Sequence, residues 1–106
     1  MDNSMENMLG KLQGMQAEIA RVQEELGSMT ATAESGGGMV KVTANGRQEI
    51  VNITIEKEVI DPTESEMLED LIVAAVNRSL SEVKALSEAK MSEAARSFLP
   101  PGMPGF

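Results

Sequence analysis

An eleven-residue segment, Gly36 to Gly46, constrains the fold of this chain more than any other. It reads Gly-Gly-Gly-Met-Val-Lys-Val-Thr-Ala-Asn-Gly, an alternating apolar strand between a glycine run and an Asn-Gly pair. Asn-Gly after such a strand is a strong β-hairpin signal. A phosphate-binding loop would need Gly-Lys-Ser/Thr followed by a helix. Extended sequence follows instead, so the glycines are predicted to form a turn or bulge.

The side chains of the hairpin predict its register. A four-residue loop from Asn45 to Gln48 would pair Val42 with Val51 and Val40 with Ile53, which keeps apolar residues opposite one another. The predicted apolar face consists of Val40, Val42, Val51, Ile53 and Ile55. The opposite face is predicted to be polar, with Lys41, Thr43, Asn52 and Thr54, and to carry Ile50 as its one large apolar member.

A heptad pattern precedes the hairpin. Apolar residues recur with alternating spacings of three and four, at Met5, Met8, Leu12, Met15, Ile19, Val22, Leu26 and Met29. This spacing predicts a long helix with a coiled-coil seam, part of which must project or pair. The seam could pack within a dimer, or its methionines could form an adaptable groove for another partner. A short strand of small residues is predicted next, from Thr30 to Glu34.

A second long helix follows the hairpin. Asp61, Pro62 and Glu64 form a helix-start signal, and apolar periodicity continues toward Ser97. Every residue from Leu71 to Val76 is apolar, so this stretch is predicted to be covered by the sheet, the first helix and a partner subunit. Residues 99–106, rich in Pro and Gly, are predicted to be a flexible tail after a single domain at 1–98.

Composition excludes several classes of function. The 106 residues contain no Cys and no His, which rules out thiol nucleophiles, disulfides and most zinc sites. Glu66, Glu69 and Asp70 have helical spacing, but a di-iron bundle would also need Glu-x-x-His pairs; the acids are predicted to complement the helix dipole instead. We expect no enzyme activity, metal, cofactor or small-molecule substrate. Neither a signal peptide nor a membrane span is apparent, so we expect a cytoplasmic protein.

Three motifs together resemble the YbaB/EbfC family of bacterial nucleoid-associated proteins. They are residues 36–46, the stretch Met-Leu-Glu-Asp-Leu-Ile-Val-Ala-Ala-Val-Asn at 67–77, and Leu-Pro-Pro-Gly-Met-Pro-Gly-Phe at 99–106. The resemblance spans essentially the whole chain. It implies an α+β fold, in which a long N-terminal helix, a three-stranded antiparallel β-meander and a long C-terminal helix form a tweezer-like homodimer. It further implies double-stranded DNA binding, mainly by the projecting helices, with low sequence preference and nucleoid association.

Charge alone argues against DNA binding, because the chain carries a net −8. The acids are concentrated, however: Glu56 to Asp70 holds seven acids and one base, Lys57. The candidate DNA-binding residues are therefore the bases of the two helices, chosen for their location. They are Lys11, Arg21, Arg78, Lys84, Lys90 and Arg96.

The dimer interface is predicted from apolar residues that a single small layer cannot cover. They are Val40, Val42, Val51, Ile53, Ile55, Leu71 and Ile72. Two functions remain open. The chain is either a nucleoid-associated dimer that contacts the DNA backbone, with a role in nucleoid organisation, gene expression or DNA repair, or an adaptor that binds another protein through its Met-rich helix and Pro-rich tail.

Overall fold

A computed structural model describes residues 3–96, and the predicted tail at 99–106 lies outside them. Helix α1 spans Asn3–Leu26 and is followed by strands β1 (Thr30–Ser35), β2 (Val40–Asn45) and β3 (Ile50–Ile55). Helix α2 spans Ser65–Arg96. The strands form an antiparallel sheet in the order β1-β2-β3. The predicted α+β architecture is confirmed.

The first half of α2 covers one face of β1 and β2 and forms the larger core. Val40, Val42 and Ala75 are fully buried there, and Leu68, Leu71, Ile72, Val76 and Ile55 pack around them. The Ser35 hydroxyl donates to the Leu71 carbonyl over 2.6 Å and ties the end of β1 to the helix. The sheet and α2 therefore form one two-layer unit.

The hairpin register differs from the predicted one. Val42 pairs with Ile53 and Val40 with Ile55, two residues further along β3 than expected. A β-bulge between Thr43 and Ala44 then brings Ile50 opposite Ala44, which is fully buried. Because opposed residues share a face, Ile50 belongs to the apolar face and its predicted place on the polar face was wrong.

The register follows from the loop, which is not the two-residue Asn-Gly turn. The Asn45 amide donates to the Glu49 carbonyl and the Gln48 amide to the Asn45 carbonyl, both over 2.9 Å. Gln48 adopts a left-handed φ of 62°, as the last residue of a three-residue loop does when it forms a bulge. The Asn45 side-chain oxygen accepts from the amides of Arg47 and Glu49. These bonds shift the start of β3.

Turn geometry accounts for the glycine run and for the start of α2. Gly36, Gly37 and Gly38 all have positive φ, at 60°, 67° and 96°, as the predicted turn requires. Asp61 caps a short 3-10 turn at Pro62–Glu64 that leads into α2, and its carboxylate accepts from the Thr63 amide over 3.0 Å and the Thr63 hydroxyl over 2.8 Å. Both signals are confirmed.

Within residues 3–96, helix α1 contacts the rest of the fold near its C-terminus. Val22 and Leu26 pack against Ala94 and Met91 of α2, which runs alongside α1 in the opposite direction. Towards the N-terminus the same seam is exposed, to 70% at Met5 and 63% at Met8. We call residues 3–19 of α1 the arm. The molecule is accordingly elongated, with extents of 76 × 24 × 16 Å.

Candidate nucleic-acid interface

The arm and the acidic segment lie at opposite ends of the sheet. The arm joins the sheet at the hairpin end, where the Gly46 amide donates to the carbonyls of Leu26 and Met29 over 2.8 Å. The acidic segment, residues 56–70, begins where β3 leaves the sheet beside the glycine turn, since Ile55 pairs with Val40. Its seven acidic residues are exposed. An anionic ligand would meet less repulsion at the arm end.

An ion pair links α1 to α2 at their junction, beside two ion pairs within α1. Arg21 bonds Glu18 and Glu25 along α1, and Lys90 Nζ of α2 lies 3.3 Å from Glu25 Oε2. A cleft between the helices is lined by Glu18, Arg21, Val22, Lys90, Glu93 and Ala94. Two of the six candidate DNA-binding residues, Arg21 and Lys90, are thus already paired with carboxylates.

The charge state of this junction is stabilised by its own contacts. The side-chain hydrogen bond from Arg21 holds the pKa of Glu18 below its ordinary value, and the charge of Lys90 acts in the same direction. The pKa of Arg21 is raised, first by the hydrogen bond to Glu18. A phosphate that approaches Arg21 must therefore compete with the Glu18 carboxylate, whose charged form the hydrogen bond from Arg21 favours.

The other four candidate bases have different surroundings. Lys11 lies on the arm, and Lys84 and Arg96 lie on exposed positions of α2. No ion pair to these three is formed within residues 3–96. Arg78 instead donates from Nη1 to the Glu34 carbonyl at the end of β1, over 2.5 Å. Lys11, Lys84 and Arg96 therefore carry charges that no carboxylate within residues 3–96 pairs, whereas Arg78 joins α2 to the sheet.

Arg47 is a further base that the sequence reasoning missed. It follows Asn45 and Gly46 in the hairpin loop, and its Nε donates to the Gln23 carbonyl near the C-terminus of α1 over 3.3 Å. The loop position indicated surface exposure. Nothing in the sequence indicated that the hairpin would bring Arg47 beside α1, because that contact depends on the docking of Gly46.

The predicted interface residues fall into two groups. Val40 and Val42 are completely buried beneath α2 within one chain, and Leu71, Ile72 and Ile55 are half-buried beside them. Val51 and Ile53, by contrast, remain 53% and 43% exposed on β3. Only this second group offers a partner much apolar surface. Val73 of α2 is 58% exposed, so the apolar stretch at 71–76 is covered on one side by this chain.

Metal binding and membrane insertion find no support in the part of the chain that the structure describes. Within residues 3–96, no cluster of three or more carboxylates is arranged to hold a metal ion. Neither described helix is long and apolar enough to cross a membrane.

Comparison with known proteins gives consistent matches. The YbaB/EbfC DNA-binding family model matches residues 1–98. A "nucleoid-associated protein" of Moorella thermoacetica is 48% identical over 93% of this chain and 95% of its own length. Another of that name, from Pelotomaculum thermopropionicum, is 43% identical over 97% of this chain and 98% of its own. The crystal structure of the uncharacterized protein HP0035 from Helicobacter pylori superposes with a TM-score of 0.61 at 28% identity, covering 83% of this chain and 98% of that one.

Proposed function

This chain belongs to the YbaB/EbfC DNA-binding family, and we propose that it binds double-stranded DNA as a homodimer, through the phosphate backbone and with low sequence specificity. The family is one of DNA-binding proteins and not of enzymes. The names of the relatives support a place at the nucleoid, in the cytoplasm. A role in nucleoid organisation, gene expression or DNA repair would follow from coating or clamping DNA.

The observation that carries this proposal is the separation of charge along the molecule. Seven acids occupy the segment at residues 56–70, at the end of the sheet away from the arm. Lys11 lies on the arm itself, and Lys84 and Arg96 lie on α2, which runs toward the arm junction. A duplex that approaches from the arm end reaches these bases far from the seven acids of residues 56–70, although it also meets the glutamates that alternate with bases along both helices. Since phosphates are distributed uniformly, such contacts favour affinity over sequence discrimination.

The uncovered edge of β3 supports the homodimer. Strand β3 is one of the two edge strands of the sheet, and its sequence Ile-Val-Asn-Ile-Thr-Ile contains no charge and no proline. Edge strands of stable monomers are normally protected by charge, proline or a covering element. Exposed Val51 and Ile53 lie on this strand. A second copy that packs on β3 and the neighbouring apolar face would bury them.

A protein-interaction adaptor is the second candidate function. It is favoured by the exposed apolar side chains of the arm, four of which are methionine or leucine residues more than half exposed: Met5, Met8, Leu9 and Leu12. Flexible methionine side chains suit surfaces that accept several partners. In this function the bases of α1 and α2 would serve solubility, and contact with DNA would be incidental.

Gel-shift titrations of unrelated duplexes at several salt concentrations separate the two functions. If each dimer neutralises about four to six phosphates, log K should fall against log salt with a slope of about −4 to −5. Similar affinities for the different duplexes would support backbone contact. A flat salt response, or no shift at low salt, would favour the adaptor.

A further inference from the structure

The arm carries a continuous apolar stripe that nothing within residues 3–96 covers. Its members are Met5, Met8, Leu9, Leu12, Met15 and Ile19, with exposed fractions from 37% at Met15 to 70% at Met5. All except Leu9 belong to the heptad seam. At its C-terminal end the same seam is already used, since Val22 and Leu26 pack against α2.

The width of the stripe indicates what covers it. A seam with spacings of three and four is the narrow face that packs against a single further helix, because a globular core uses a wider apolar face. Gly10 and Gly14 lie off the seam, where they leave that packing intact while weakening an isolated helix. A partner helix would therefore stabilise the arm as well as bury its stripe.

We propose that the arm pairs antiparallel with the arm of a second copy of this chain. In this arrangement Leu12 faces the partner's Met15 and Met8 faces the partner's Ile19, and the two-fold axis passes between residues 13 and 14. The paired stretch, from Met8 to Ile19, is about 17 Å long. It ends where α2 already occupies the seam, at Val22 and Ala94.

Charge complementarity selects this register. Lys11 and Glu18 each precede a seam residue, so they flank the seam on the same side of the helix. In the proposed register Lys11 lies opposite the partner's Glu18, which also bonds Arg21 within its own chain, with an offset of about 3 Å along the helix axis. A shift of one heptad would instead bring Lys11 opposite the partner's Lys11, and parallel pairing would place it near glutamine. Opposed like charges disfavour the shifted arrangement.

Pairing of arms goes beyond DNA binding and uses a different part of the molecule from the proposed β3 interface. The arm projects from one end of a molecule 76 Å long, whereas β3 lies in the sheet. Arm pairing in addition to the β3 interface would link homodimers into larger assemblies. Such linkage gives a DNA-bound protein a means to bridge two duplexes.

Site-directed cross-linking tests the geometry directly, because the natural chain has no cysteine. Leu12→Cys and Met15→Cys proteins would be purified separately, one with a size tag, then mixed without DNA and mildly oxidised. We expect the mixed product, which joins position 12 to position 15 between separately made dimers, to predominate. Ala17→Cys, on the exposed opposite face of the helix, is the matched control and should cross-link poorly.

Sedimentation of the DNA-free protein supplies a second test. Lys11→Glu and Glu18→Lys should each weaken the association of dimers into larger species, and the double variant should restore it. Leu12→Gln should weaken that association by about tenfold or more, as loss of a buried leucine does, without dissociating the dimer. Failure of DNA binding in gel shifts would leave these results unaffected.

Three outcomes would overturn the proposal. Cross-links confined to identical positions, 12 to 12 and 15 to 15, would show parallel pairing. Mixed cross-links without any species larger than a dimer would place the pairing inside one dimer after subunit exchange. Absence of both cross-linking and self-association would show that the stripe receives a different occupant.

Discussion

At the scale of single residues, Gly46 is required for a reason other than the conformation of the turn. Its φ is not in the left-handed region, and the positive φ of the loop belongs to Gln48. A Cβ on Gly46 would lie 2.7 Å from the Leu26 carbonyl oxygen and 3.1 Å from the Leu26 Cα. Glycine is required here because the hairpin approaches the backbone of α1 closely, and that approach fixes the arm to the sheet.

Gly46→Ala should therefore destabilise the fold. The added methyl group would push the end of α1 away from the hairpin and weaken two backbone hydrogen bonds. We expect a loss of about 1–3 kcal/mol in the free energy of unfolding, typical of overpacking, measured by urea denaturation. Gly10→Ala is the matched control, because a Cβ there meets no atom within 4 Å and should stabilise the helix. Equal effects of the two changes would contradict the close approach of the hairpin as the reason for glycine.

The Asp61 cap predicts a pH dependence of stability. Hydrogen bonds from the Thr63 amide and hydroxyl hold the pKa of Asp61 below its ordinary value. Since the folded-state pKa is the lower one, the stabilisation is complete above the unfolded pKa, near ~4, and disappears as the pH falls through the folded pKa. The difference in unfolding free energy between the natural chain and Asp61→Ala should shrink on acidification. If that free-energy difference stays constant from neutral to strongly acidic pH, the ionised Asp61 cap does not stabilise the fold.

At the scale of elements, each helix makes different contacts along its length. The first half of α2 packs on β1 and β2, while its second half lies beside the end of α1. Within residues 3–96, the buried part of α1 is its last part, so α1 is held by a short apolar contact, the Lys90–Glu25 ion pair and the Gly46 hydrogen bonds. The bases at the junction therefore position the helices, whereas those away from it remain available.

This division predicts a difference between two pairs of basic residues in DNA binding. Lys84→Ala with Arg96→Ala should lower affinity on all duplexes and reduce the salt slope by about two units, one for each phosphate that is no longer neutralised. Arg21→Ala with Lys90→Ala should have a smaller effect, because these side chains are bonded to glutamates. Gel shifts at several salt concentrations measure both. Glu64→Gln with Glu66→Gln, in the acidic segment, should leave affinity equal or slightly higher.

A larger effect of the Arg21→Ala, Lys90→Ala variant would assign the DNA contact to the helix junction.

Arg78→Ala combined with Lys84→Ala should also lower affinity. Because Arg78 bonds the Glu34 carbonyl, the thermal stability of that variant must be measured alongside its binding.

At the scale of the whole molecule, the fold has a two-layer body at one end and a helical projection at the other. The body leaves β3 uncovered by any described helix, and the projection leaves the arm seam exposed. Both surfaces are apolar, and we propose that each packs against the same surface of a second copy. A chain of this size buries a modest share of its surface alone, so its stability should depend on association.

Ile53→Asp tests the association of the bodies. Ile53 is 43% exposed opposite Val42, so a carboxylate there should remain solvated in a single chain but be costly in an interface. We expect sedimentation equilibrium to show a dimer for the natural protein and a monomer for the variant. Thr54→Asp, on the other face of the same strand, is the matched control and should remain dimeric. A natural chain that is monomeric at micromolar concentration would refute the homodimer.

The sequence by itself determined the order and type of the elements, the helix start at Asp61, the glycine turn and the family. These features depend on periodicity and local backbone preferences, which are set by residues close together in the sequence. The sequence also identified the basic residues of the helices. It did not show which of them form ion pairs with carboxylates. The pairing of Lys90 with Glu25 joins residues 65 positions apart, and it exists only because α1 and α2 lie side by side.

The tertiary structure alone decided the register of the hairpin, the face of Ile50, the reason for Gly46 and the position of Arg47. The register and the face of Ile50 follow from the hydrogen bonds of the loop and from the bulge. The reason for Gly46 and the position of Arg47 depend on where the end of α1 meets the loop, and neither contact leaves a periodic trace in the sequence. The tertiary structure also divided the predicted apolar interface, since α2 covers Val40 and Val42 and leaves Val51 and Ile53 exposed. Alternation shows that a face is apolar, but only the packing of the helix shows how much of that face is already buried.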